Sequence, residues 1–120
     1  MMLRSDIDTI LDWVTQGSRV LDLGCGDGEL LAALTKQKAI SGLGVDIDAG
    51  NLIAAVDKGL CVVQQNMEDG LPNFNPKSFD VVIIAFSLQV LPRPHTLLER
   101  GVTIANEALV SLHTFAHWRS

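Results

Sequence analysis

Two hydrophobic periods alternate along the chain. Ile7, Ile10, Leu11 and Val14 recur at i, i+3, i+4 and i+7, the spacing of one face of an amphipathic helix. Ser5 suits the cap of that helix and Gly17 its end. The short apolar run Arg19–Leu23 predicts a strand, and Gly24–Gly28 predict a glycine-rich turn. Glu29–Gln37 predict a helix with Leu30, Leu31 and Leu34 on its inner side. The pattern then repeats, with a strand over Gly42–Ile47, a helix over Ala49–Lys58 stopped by Gly59, and a strand over Leu60–Gln64. Residues 66–78, rich in Pro and Asn, predict a loop. Phe79–Phe86 is the fourth and most apolar strand. Pro92 and Pro94 punctuate the start of a helix running to about Ala105, and Ala108–Leu112 reads as a fifth strand.

Strands that are apolar throughout and alternate with helices imply a parallel sheet covered on both faces. Right-handed crossovers then restrict this α/β chain to a doubly wound, Rossmann-like sheet. With 120 residues, 48% of them hydrophobic, one domain spanning 1–120 buries a core without a metal or disulfide staple. The net charge of −5 and the absence of a basic cluster argue against nucleic acid as a partner. They argue equally against a Lys/Arg-rich membrane face. Cys25 and Cys61 form no C-x-x-C motif, which suits a reducing compartment. Acids stand where a signal peptide would be apolar, and no apolar run approaches the roughly 18 residues of a membrane helix. The expected location is the cytoplasm, and no metal-ligand set is read.

The chemistry concentrates in Asp22-Leu23-Gly24-Cys25-Gly26-Asp27-Gly28, directly between a predicted strand and helix. Glycines let backbone approach a ligand, and the free N–H groups of a helix start suit an anionic or polar one. A dinucleotide turn requires G-x-G-x-x-G, but Glu29 stands at the third glycine position. Asp22 would repel a pyrophosphate, whereas it suits an ammonium group such as that of S-adenosylmethionine (SAM). Gly24, Cys25, Gly26 and Gly28 are therefore read as a SAM cradle, with a nicotinamide cofactor as the runner-up. Cys25 also reads as a small residue that simply fills the turn. Asp46, twenty residues beyond Gly26, suits ribose hydroxyls. Its neighbour Asp48 competes for that role, with a helix N-cap as its plainer one. Ile47 suits the adenine face or the core. Asn66 suits the adenine edge or a solvated turn, and Met67 a lid over it. Ala85, Phe86 and Ser87 lie at the ligand end of strand four. Asp80, at the opposite end of that strand, reads as structural.

Together these residues resemble a class I SAM-dependent methyltransferase. The stretch Gly17–Leu31, with Gln64-Gln65, Gly70-Leu71-Pro72, Ser78-Phe79-Asp80, Leu88-Gln89 and the terminal His117-Trp118-Arg119-Ser120, resembles the methionine biosynthesis protein MetW family over nearly the whole chain. The resemblance implies a three-layer, mainly parallel sheet of order 3-2-1-4-5. It carries over Asp22, Gly24, Gly26 and Gly28 as SAM-motif residues. Asp46 matches a position where the family usually has Glu, and Asn66 one where it tends to have Asp. In some bacteria the family acts beside a homoserine O-acyltransferase in methionine synthesis. That makes a non-catalytic SAM-binding partner of such an enzyme the alternative to a methyltransferase.

About five strands are predicted, without the final antiparallel hairpin usual in this fold. Strand five then stays an edge, is covered by Phe115 and Trp118, or pairs with a second copy as a homodimer. No catalytic base is assigned. His113 is the nearest candidate, because it follows strand five near the expected mouth of the site.

Overall fold

Successive strand residues point to opposite faces of a sheet, and that alternation sorts the core. On β1 (Arg19–Leu23), Val20 packs on one face while Leu21 and Leu23 pack on the other. On β4 (Phe79–Ala85), Val81 and Ile83 join Val20, while Val82 and Ile84 join Leu21. The first face is covered by Ile7, Ile10 and Val14 from α1 (Arg4–Trp13) and its continuation, and by Leu30, Leu31 and Leu34 of α2 (Glu29–Lys38). Leu52 of α3 (Ala49–Asp57) belongs to the same face. The second face is closed by Ile104 at the end of α4 (Pro94–Ile104). Ile83 and Ile84 are both fully buried, on opposite faces, and each contributes roughly 1.5–3 kcal/mol of transfer free energy.

The computed structural model describes residues 4–66, 74–85, 94–111 and 115–119. Its sheet also contains β2 (Ser41–Asp46), β3 (Val62–Gln64), β5 (Ala105–Ser111) and β6 (Phe115–Arg119), in the order β3-β2-β1-β4-β5-β6. The five parallel strands stand in the expected order 3-2-1-4-5. A sixth strand corrects the predicted count. β6 pairs antiparallel with β5, placing Phe115 opposite Ser111 and Trp118 opposite Ala108. An open β5 would leave a row of backbone groups without partners, and β6 supplies them within the chain. The β5 edge is thus already paired within the chain, and the expected homodimer through that edge finds no support here.

Two boundaries also move. β3 is shorter than predicted, because Leu60 belongs to the turn after α3 and donates its N–H to the Ala55 carbonyl at 3.2 Å. β5 starts earlier than predicted, directly at the end of α4. Lys77 sustains that abrupt junction. Its N–H donates to the Thr103 carbonyl at 3.2 Å, and its ammonium reaches the Ala105 and Val102 carbonyls at 3.3 and 3.5 Å. A cation beside the last carbonyls of a helix offsets their partial negative charge.

Asp80 does hold strands together at the end remote from the glycine turn. It accepts from the Arg19 N–H at 2.8 Å and from the Arg19 guanidinium at 3.1 and 3.2 Å. The Arg19 hydrogen bonds hold its carboxyl below the ordinary range. No helix among the described residues is long and apolar enough to cross a membrane.

The glycine turn fits against β2 only because Gly44 lacks a side chain. A Cβ there would lie 2.7 Å from the Cys25 Sγ and 2.9 Å from its Cβ, closer than real contacts allow. Gly44→Ala is accordingly expected to cost about 1–3 kcal/mol in urea denaturation. Cys25→Gly in the same chain should recover part of that loss beyond the sum of the single variants. Additive effects would refute the contact.

Candidate functional site

The sheet reverses its winding between β1 and β4, and ligands of such sheets bind beyond the carboxyl ends of the strands at that point. The turn from Gly24 to Gly28 occupies this position and is tied to β2 by three short bonds. The Val45 carbonyl accepts from the Gly24 and Cys25 N–H groups at 2.7 and 3.0 Å. The Asp46 Oδ2 accepts from the Gly26 N–H at 2.8 Å, and Oδ1 from the Asp48 N–H at 2.9 Å. Gly28 then starts α2 at φ +85°, and a Cβ on it would run into Leu60 Cδ1 and approach the Ala55 Cβ to 3.2 Å. Both its backbone conformation and its surroundings require glycine.

Asp48 takes the cap role. Its side chain accepts from the Asn51 N–H at 2.9 Å at the start of α3. Asp46, expected at ribose hydroxyls, holds the turn through the Gly26 N–H. Ile47 is 58% exposed, so it is not part of the core. Gln64 Nε2 donates to the Ile47 carbonyl at 3.0 Å, and the Gln65 N–H donates to the Asp46 carbonyl at 3.0 Å. These bonds bring the end of β3, and Asn66 after it, beside the end of β2. Ala85 closes β4; its side chain, Met67, Phe86, Ser87 and His113 lie outside the described set.

Sequence reasoning missed Lys58. Its ammonium donates to the Asp27 carbonyl at 2.8 Å and lies 3.7 Å from the Asp27 carboxylate. No local pattern links a lysine at the end of α3 to the first turn. Gly44 did carry a signal, since an isolated glycine inside a strand marks a close backbone approach.

Asp22 lies beneath the turn and is only 2% exposed. Burial, with Asp46 nearby as a second cause, pushes its carboxyl up to about 7. The Cys25 thiol is pushed up to about 12, first by burial and then by Asp22 and Asp46. A thiol so disfavoured as thiolate is no nucleophile at neutral pH, so Cys25 fills the turn.

Residues 4–120 match the family model described as methionine biosynthesis protein MetW. The chain is 34% identical over 123 aligned residues to a bifunctional methionine biosynthesis protein MetXA/MetW of Rhodopirellula baltica; the match covers 96% of this chain and 20% of that one. A chain of the complex between the Haloferax volcanii Trm112 methyltransferase activator and a methyltransferase superposes with a TM-score of 0.74 at 27% identity, covering 86% of this chain and 49% of the other. A SAM-dependent methyltransferase of Aquifex aeolicus superposes with a TM-score of 0.69 at 24% identity, covering 88% and 62%. The chain thus spans a fifth of the fused relative and about half of the first of these structures.

A raised carboxyl pKa fixes the sign of a pH effect. Below about pH 3 the folded and unfolded states both bind the Asp22 proton. As pH rises, the unfolded state loses it first, so folding becomes less favourable until about pH 7. Relative to Asp22→Asn, the wild-type chain should lose up to about 4 kcal/mol of stability between pH 4 and pH 8. Urea unfolding at the two pH values checks this, and parallel behaviour of the two proteins would disprove it.

Proposed function

The chain belongs to the methionine biosynthesis protein MetW family, and from that premise we propose that it is a SAM-dependent methyltransferase. The observation that carries the reading is the glycine turn fastened to the Asp46 carboxylate at the point where the sheet reverses. Each oxygen of Asp46 accepts one backbone N–H and retains a lone pair for a ribose hydroxyl. Exposed Ile47 offers an apolar surface to adenine, and Asn66 a polar group to its edge. Met67 and Ala85 complete the cofactor set in this reading. Gly24, Cys25, Gly26 and Gly28 let the backbone lie close to the methionine portion, with Asp22 beneath to attract its ammonium. A donor set of two carboxylates and one apolar face fits a cationic nucleoside better than a pyrophosphate.

Bound SAM supplies a methyl group already activated on a sulfonium. The chain's own contribution is then to hold the acceptor in line and keep water out. No side chain is assigned the role of base.

A second reading, a non-catalytic SAM-binding partner of a homoserine O-acyltransferase, is favoured by the relative whose name joins MetXA and MetW. Co-purification with the acyltransferase, and a SAM-dependent change in its rate, would support this reading. Absence of both would remove it.

Calorimetric titration with S-adenosylhomocysteine should show binding, and titration with NADH none; the reverse would overturn the cofactor. Asp46→Ala should weaken S-adenosylhomocysteine by roughly 1–3 kcal/mol, about tenfold to a hundredfold. An unchanged affinity would remove Asp46 from the ribose.

A further inference from the structure

We infer that a ligand bearing an α-ammonium group expels a proton from Asp22 when it binds, so that the site reads the cationic amino group and tightens as pH rises toward neutrality. The inference rests on the SAM reading above and adds to it a specificity device with its own signature.

The geometry around Asp22 supports it. Asp22 lies on β1, opposite Gly44 of β2 and Ile83 of β4. Its side chain is on the Val20 face, where α1, the residue following it and α2 present Ile10, Val14, Leu31 and Leu34 to the core. None of these residues is charged. Among the described residues nothing donates a hydrogen bond to the Asp22 carboxyl, and its charged neighbour is another acid, Asp46. Every fully sealed side-chain N or O atom in the described set has a hydrogen-bond partner, so the carboxyl of Asp22 keeps a small opening within its 2% exposure. The turn adds Cys25 and Asp27, and Lys58 is already engaged with Asp27. Among the described residues nothing compensates a carboxylate placed here, and an arriving cation would.

The proton balance follows. Without a ligand, burial and the nearby Asp46 raise the carboxyl to about 7, so at pH 6 the protonated form predominates. An arriving ammonium pairs with the carboxylate, and the proton leaves to solvent. The ligand's α-ammonium stays protonated below the range of even a peptide's terminal amine, about 7.7–8.0, which makes pH 5.5–7 the informative window. Cys25, raised to about 12, is silent there. The chain also holds three histidines, so a variant of Asp22 must assign the proton.

The experiment is calorimetry of the full chain at pH 6 in buffers of different ionisation enthalpy. S-adenosylhomocysteine carries the ammonium; 5′-methylthioadenosine shares the adenine and ribose and lacks it. About one proton should be released per S-adenosylhomocysteine, none for 5′-methylthioadenosine, and none with Asp22→Asn. In the wild-type chain the Kd for S-adenosylhomocysteine should fall up to tenfold per pH unit between pH 5.5 and 6.5 and level off near 7. Binding without proton release, or release that persists in Asp22→Asn, overturns the inference while leaving SAM binding intact. Binding of neither ligand overturns both. If circular dichroism shows Asp22→Asn unfolded, the wild-type pH series decides, with a Kd that varies for S-adenosylhomocysteine and stays flat for 5′-methylthioadenosine in support, and two flat series against.

Discussion

One carboxylate organises the ligand end of this sheet. Asp46 holds the glycine turn through Oδ2 and the approach to α3 through Oδ1, while its own carbonyl anchors the residue after β3. Two segments distant in sequence, and the adjoining start of α3, are thereby fixed to the end of a single strand. The turn contains three glycines, yet its shape is set by these bonds and not by the freedom of its residues. A cradle already held in place has less conformational entropy to lose when a ligand arrives.

The same arrangement carries an electrostatic cost. Asp46 is needed at the rim, and Asp22 lies buried within its influence. Apolar packing of the surrounding strands, with Ile83 and Leu23 fully buried, offsets that cost. Groups so displaced from their ordinary titration collect at sites that bind or react. Here the displacement falls on the strand bearing the turn, while Asp80, at the far end of the sheet, is satisfied by Arg19.

Much of this could be read from local pattern. Apolar runs located the five parallel strands, and spacing singled out Asp46 beyond the turn, though not its bond to the Gly26 N–H. Asp48 and Asp80 also took the roles expected of them. Other features depend on contacts with no local mark. Phe115–Arg119 lacks the β-branched run of a typical strand, and only the open edge of β5 makes it one. Lys77 acts on the end of α4 through atoms 25 to 28 residues away. Lys58 meets Asp27 across 31 residues, a pairing that periodicity cannot show.

The unequal environments of the two cysteines have a practical side. Cys25 is buried against Gly44, while Cys61 is exposed. The Cys61 carbonyl accepts from the Gly44 N–H at 2.9 Å, so this thiol sits beside the strand that carries Asp46. A maleimide dye would react at Cys61 and spare Cys25. The unaltered sequence thus provides a single attachment point for a fluorescent reporter, on the strand edge beside the turn and clear of its interior.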